Sequence, residues 1–269
     1  MNTRLIILIA MIMAFSGSFA FAQISKEAKY VGTKQDQKDF IENEMLYPGQ
    51  AMDERAQGSV KLSFIVDKQG IARDVMVMNS VHPLLDREAE RLVRMMVWEP
   101  AEHYGLKVAS RHELRIDFKI RKYEKYCKNR GYDKPIPDDR ISDTTFAIYD
   151  FTKVYPKPAP LFESEHQKLT NFIRNNLQYP EVAVQQSIKG NVKIGFIVET
   201  SGKASHFRVI ESLGGGCNEE AKRIIKLLRW KPGQIHDTAV RTRMSIDITF
   251  KLSESSDIEY FHNNQNRTF

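Results

Sequence analysis

GSVKLSFIVDKQG (residues 58–70) and GNVKIGFIVETSG (residues 190–202) are two versions of one pattern. In the first, Val60, Leu62, Phe64 and Val66 alternate with Lys61 and Ser63. In the second, Val192, Ile194, Phe196 and Val198 do the same. A period of two predicts a strand with one apolar face. The apolar run then breaks at residues 67–70 and 199–202. Each break ends in a glycine, which takes positive φ without steric cost, so a hairpin turn is expected. A second strand follows, over about 72–79 and 204–211.

The register between the two stretches extends well beyond them. Tyr47-Pro48 recurs as Tyr179-Pro180 at an offset of 132 residues. The same offset aligns Glu88-Ala89 with Glu220-Ala221, Arg91 with Arg223, Trp98 with Trp230, Pro100 with Pro232, and Phe118-Lys119 with Phe250-Lys251. No gap is needed from Phe40 to Lys119, and roughly a third of the positions are identical. The chain therefore contains a duplicated unit, each copy large enough to fold alone.

Within each copy the hairpin is followed by helical spacing. Leu85, Ala89, Leu92, Val93 and Met96 recur at i, i+4, i+7, i+8 and i+11, and their counterparts are Cys217, Ala221, Ile224, Ile225 and Leu228. Asp86 and Asn218, with Glu88, Glu219 and Glu220, suit a helix N-terminus. A last strand carries Leu114, Ile116 and Phe118, or Ile246, Ile248 and Phe250. Short helices are expected near 40–46 and 169–177, ahead of the Tyr-Pro steps. The class is α+β: two tandem small domains, each a short antiparallel three-stranded sheet packed by an amphipathic helix.

The flanks complete the layout. Met1–Arg4 is a short positive start, residues 5–15 are almost purely aliphatic, and Ala20-Phe21-Ala22 supplies a small-residue cleavage site. This reads as a secretory signal peptide over 1–22, leaving Gln23 first. The rival reading is an uncleaved inner-membrane anchor, since 5–22 lies near the lower limit of about 17 residues for a span. The expected division is a domain over 23–120, a charged linker over 121–149, a domain over 150–252 and a polar tail over 253–269. Residues 145–154 are expected to hold a strand leading into the second domain. A net charge of +6 spread over interspersed acids and bases reads as a soluble surface rather than a nucleic-acid face.

Export would permit a Cys127–Cys217 disulfide. The offset instead puts Cys217 where Leu85 stands, on the buried helix face, which suits a small hydrophobe. Catalysis finds no constellation. The seven histidines do not match under the offset and form no metal-ligand spacing. Gly214-Gly215-Gly216 lacks the Lys-Ser/Thr of a phosphate loop and reads as a flexible loop. Lys222, Arg223, Lys226, Arg229 and Lys231 read as a solvated helix face rather than a surface for lipid head groups. No catalytic residue, cofactor or metal is expected.

The ordered set Tyr-Pro, Ala, Gly-x-Val, Phe-Ile-Val-acid, Gly and Trp-x-Pro resembles the TonB C-terminal domain, and it occurs twice. The first copy supplies Tyr47-Pro48, Ala51, Gly58-x-Val60, Phe64–Asp67, Gly70 and Trp98-x-Pro100. The second supplies Tyr179-Pro180, Ala183, Gly190-x-Val192, Phe196–Glu199, Gly202 and Trp230-x-Pro232. The resemblance implies a non-enzymatic periplasmic protein. Its partners would be outer-membrane TonB-dependent transporters, whose short peptide boxes add a strand to an exposed sheet edge. Inner-membrane motor proteins or a second copy are further possible partners. The residues implied at the binding edge are Leu114, Ile116 and Phe118 with Tyr47 and Pro48, and Ile246, Ile248 and Phe250 with Tyr179 and Pro180. The tryptophans read as packing residues closing the helix. The family's transducers carry an anchor with polar coupling residues and a long Pro-rich spacer. Here the N-terminal segment has no His and no such spacer follows it, so binding is expected rather than force transmission. The alternative is a periplasmic scaffold that uses the same edges without energy transduction.

Overall fold

The computed structural model describes residues 25–134, 144–162 and 168–252. The signal-peptide segment, the polar tail and part of the linker lie outside them. The first repeat opens with strands β1 (Ser25–Lys26) and β2 (Lys29–Tyr30) and helix α1 (Lys34–Glu44). Thr33 and Asp36 cap α1 reciprocally. The Thr33 amide donates to Asp36 at 2.8 Å, and the Asp36 amide to the Thr33 hydroxyl at 3.1 Å. Then come α2 (Gly49–Asp53), β3 (Gly58–Val66), β4 (Ala72–Asn79) and α3 (Pro83–Met95). Short strands β5 (Trp98–Glu99), β6 (Ala101–His103) and β7 (Leu106–Val108) lead into β8 (Ser110–Phe118). The sheet order is β4-β3-β8, all antiparallel, as the alternation predicts. Leu85, Ala89, Leu92 and Val93 of α3 are fully buried against Val60, Leu62, Phe64 and Val66 of β3.

The stretch expected to be a charged linker begins instead as helix α4 (Ile120–Arg130), which belongs to the first repeat's core. Tyr123 is buried there. Arg130, also buried, donates to the carbonyls of Glu42, Asn43 and Met45 at 2.7–3.2 Å. It thus satisfies the free carbonyl end of α1. Composition hid this, because most cations on such a helix do stay in water.

The second repeat begins with β9 (Ile148–Asp150), within the expected strand, and β10 (Ala159–Leu161). It continues with α5 (Leu169–Asn176), α6 (Glu181–Gln185), β11 (Gly190–Val198), β12 (Ala204–Glu211), α7 (Cys217–Leu227), β13 (Arg229–Lys231), β14 (Gly233–Ile235) and the long β15 (Thr238–Phe250). The three expected strands stand in the order β12-β11-β15. β15 also gathers β14 and, in parallel, β9, so this sheet exceeds the expected three. Cys217 is wholly buried in α7 and Cys127 is half-buried in α4; both are free thiols.

The repeat-shared residues are largely scaffold. Gly70 and Gly202 both have φ +81°, and a Cβ on either would sit 2.0 or 2.4 Å from the Trp98 or Trp230 carbonyl. Each glycine carbonyl accepts the matching tryptophan amide at 2.9 Å. Trp98 and Trp230 are 3% and 2% exposed and pack on Phe64 and Phe196, which bears out their packing role. The three glycines ahead of α7 form a shaped turn, correcting the flexible-loop expectation. All have positive φ, and a Cβ on Gly215 would meet Ile188 at 2.7 Å. Asp74 and His206 share φ of +48° and +51° at a bulge beside the same register shift in each repeat.

Candidate functional site

The expected binding edge is the outer side of each final strand. β8 pairs along its whole length with β3, from Gly58 opposite Phe118 to Val66 opposite Ser110. It is the last strand of its sheet, and among the described residues no strand pairs with its outer side. Its residues alternate in exposure. Ile116 and Phe118 are 1% and 0% exposed, and Leu114 is half-buried toward the core. Arg111, Glu113 and Arg115 face water. Three cross-strand contacts hold that face: Lys61 to Glu113 at 2.8 Å, Arg111 to the Ser63 hydroxyl at 3.1 Å, and the Ser59 hydroxyl to Asp117 at 2.5 Å. β15 repeats the arrangement, with Ile248 and Phe250 buried, Ile246 half-buried, and Arg243, Ser245, Asp247 and Thr249 exposed. The apolar side chains of both strands therefore serve the core. What a partner would meet is the backbone edge and the polar face.

The structure brings Tyr47 and Tyr179 against the last residues of these strands. Tyr47 is buried edge-on against Phe118, and its hydroxyl donates to the Ala56 carbonyl. Tyr179 is half-buried against Phe250, and its hydroxyl donates to the Ile188 carbonyl at 2.6 Å. Pro48 and Pro180, both half-buried, stand directly ahead of α2 and α6. Their approach is fixed by an acid–base pair repeated in both copies. Glu88 accepts from the Leu46 amide at 2.8 Å and from Arg91, while Glu220 accepts from the Gln178 amide at 2.7 Å and from Arg223. This explains the shared Glu-Ala-x-Arg, whose glutamates the sequence places only at a helix N-terminus and whose arginines it leaves without a role. Beside Tyr47-Pro48 opens a cavity of about 850 Å³, closed across by Tyr123 and Cys127 of α4.

Sequence reasoning missed the seam between the repeats. Helix α1 of the first repeat lies against β12 of the second. Lys222 and Lys226, expected to be solvated, reach Asp36 at 3.2 and 2.8 Å, and Lys226 also reaches Asp39 at 2.6 Å. Their acidic partner is this chain's own first repeat. Deeper in, Arg241 donates two hydrogen bonds to Glu199, at 2.6 and 2.9 Å, and one to the Met95 carbonyl at 2.7 Å. The Ser201 hydroxyl lies 2.5 Å from Glu44. His206 is fully buried and accepts the Val97 amide on Nε2 at 3.0 Å, so its proton sits on Nδ1, 3.3 Å from Glu199. The one available signal was departure under the offset, since Arg241 replaces Ala109 and His206 replaces Asp74.

Burial and the neighbouring Glu199 charge raise the Glu44 carboxyl to about 7. Burial also opposes ionisation of Glu199, but the Arg241 charge and bonds from His206 and Arg241 outweigh it and hold Glu199 at about 2. Burial lowers His206, against a hydrogen bond with Glu199 that raises it. The cluster is a structural ion network between packed units. Among the described residues no group of three or more His, Cys, Asp or Glu could hold a metal ion, and no helix is long and apolar enough to cross a membrane.

Comparison with known proteins places this geometry. The family described as Gram-negative bacterial TonB protein C-terminal matches the chain twice, over residues 43–120 and 175–252, more than half its length. A solution NMR structure of the Pseudomonas aeruginosa TonB CTD is 20% identical. The match spans 36% of this chain and 88% of that one, with a TM-score of 0.27. No curated protein matches the chain. TonB-like domains are periplasmic modules of interaction and energy transduction, and the family implies interaction with TonB-dependent outer-membrane receptors. The chain belongs to the TonB C-terminal domain family, in two tandem copies.

Proposed function

We propose that this protein is an exported, periplasmic binding module for the peptide boxes of outer-membrane TonB-dependent transporters, supporting transport across the outer membrane. The box would add to the final strand of a repeat by backbone pairing. The observation that carries this is β8: a nine-residue edge strand, its apolar side chains turned into the core and its outer backbone edge without a strand partner among the described residues. An unpaired edge offers alternating amides and carbonyls that an extended peptide completes, with little demand on side-chain pockets. The polar, mixed-charge residues Arg111, Glu113 and Arg115 beside it fit recognition through the main chain.

The test is photo-crosslinking in the native envelope from a reporter at Arg115, with a second reporter on the opposite edge of the sheet at Asn79 as control. Recovery of transporter N-terminal segments from Arg115 alone supports the reading. Recovery of other periplasmic proteins from Arg115, with no transporter, replaces it by the scaffold reading.

A further inference from the structure

The two final strands are not equivalent. β9 lies parallel along the outer side of β15, with Ile148 opposite Arg241, Tyr149 opposite Thr242 and Asp150 opposite Arg243. Under the offset those β15 positions are Ala109, Ser110 and Arg111, where no strand pairs on the outer side among the described residues.

β9 is held at both ends, and the upstream hold is the one that differs between the repeats, since Lys26 already pairs with Glu102, the counterpart of Gln234, in the first. Ahead of it, the buried Arg241 guanidinium donates through Nη1 to the Phe146 carbonyl at 3.0 Å, while Nε and Nη2 hold Glu199. Phe146 has φ +60°, turning the chain onto the sheet edge. Behind β9, the Tyr155 amide donates to the Gln234 carbonyl at 2.9 Å and the Gln234 amide to the Pro156 carbonyl at 3.1 Å. β9 is therefore tied to β15 upstream and to β14 downstream. Ala109 has no side chain that could make the first tie. Asp150 and Arg243 add an ion pair at 3.5 Å, but both are more than half exposed, so it contributes little. The paired stretch is only three residues long, short enough to be displaced without dismantling the β11–β15 ladder.

We infer that residues 148–150 are a built-in occupant of the second repeat's strand edge, so that an incoming extended peptide meets no strand on β8 among the described residues and must displace β9 to reach the same register on β15. The part concerning an incoming peptide rests on the proposed function; the occupancy does not. Past Arg243 the edge runs beside a cavity of about 880 Å³ between the repeats, lined there by Asp150, Phe151, Met244 and Ser245.

Amide hydrogen exchange on the isotope-labelled full chain tests it. The outward amide among Arg241–Arg243 is expected to exchange more slowly than its counterpart among Ala109–Arg111. Ile148→Pro and Tyr149→Pro, made separately, sample both strand parities, so one removes a paired amide. That variant should lose the protection while the Glu199 and Trp230 amides, bonded to the Lys203 and Gly202 carbonyls, keep theirs, showing an intact fold. Asp150→Lys places like charges together at the surface, where folding is not at stake, and should lose part of the protection. A synthetic peptide copying residues 146–152 should restore protection to the proline variant. Equal exchange at the two edges in the wild-type chain overturns the inference, as does undiminished protection in all three variants. A transporter-box peptide gives a separate readout: binding to neither edge removes the proposed function and leaves the occupancy standing, whereas binding to wild-type β15 as readily as to β8 overturns the inference.

Discussion

Arg241 and Glu199 face one another through two hydrogen bonds, 2.6 and 2.9 Å, with side chains 2% and 0% exposed, in the seam where the repeats meet. Removing one partner leaves a buried charge without its counterion. Arg241→Ala is expected to cost about 3 to 5 kcal/mol, read by urea denaturation at pH 7. The folded Glu199 carboxyl, held at about 2 against an ordinary 4.5, contributes stability above pH 4.5 that is lost as pH falls toward 2. Arg241→Ala should therefore be less sensitive to acid over that window than the wild-type chain. Wild-type stability at neutral pH in this variant would refute the role given to the pair.

Glu44 works in the opposite direction. Its carboxyl is raised from an ordinary 4.5 to about 7 by burial and by Glu199. A raised carboxyl favours the folded state most below pH 4.5, and that contribution disappears as pH climbs through 7. The stability of Glu44→Gln relative to wild type should rise between pH 5 and 8. Parallel pH profiles would show that Glu44 does not titrate in the seam.

Trp98→Ala and Trp230→Ala should each destabilise by about 3 to 5 kcal/mol, since both indoles are buried and leave a cavity behind. Thermal melts monitored by calorimetry read this directly. A stable variant that has lost partner binding would move the tryptophans from the core to the interface.

The seam also bears on how far the repeats are separate. Each has its own core, so fragments covering 23–134 and 144–252 should each melt cooperatively. Each should melt below the intact chain, because Asp36, Asp39, Lys222 and Lys226 lose their partners on separation. Equal melting temperatures for the fragments and the intact chain would mean that the seam adds nothing.

Much of this fold is legible in the chain because its cause is local. Val60 to Val66 alternate, Leu85 to Met96 recur at helical spacing, and Gly70 must stand where a Cβ would strike the Trp98 carbonyl. A repeat doubles every such signal. What stayed hidden depends on contacts between distant residues. Arg130 looks like one more linker cation until it is seen closing the end of α1. Lys226 looks solvated until Asp36 arrives from the other repeat. Tyr47 and Tyr179 are expected at the binding edge, and their place in the chain gave no sign that their hydroxyls also tie down the loops after α2 and α6. The edge itself was legible as the last apolar alternation of each repeat, but the occupation of β15 by β9 was not, since pairing on an edge leaves no periodic trace.

The most direct test of the central claim is titration of the isotope-labelled chain from Gln23 onward with a transporter-box peptide, followed amide by amide. The account predicts shifts concentrated on β8, from Ser110 to Phe118, with the facing strand β3 responding weakly and β4 unmoved. If peptide at millimolar concentration leaves the β8 amides where they were, or shifts β4 instead, recognition along the final strand is contradicted.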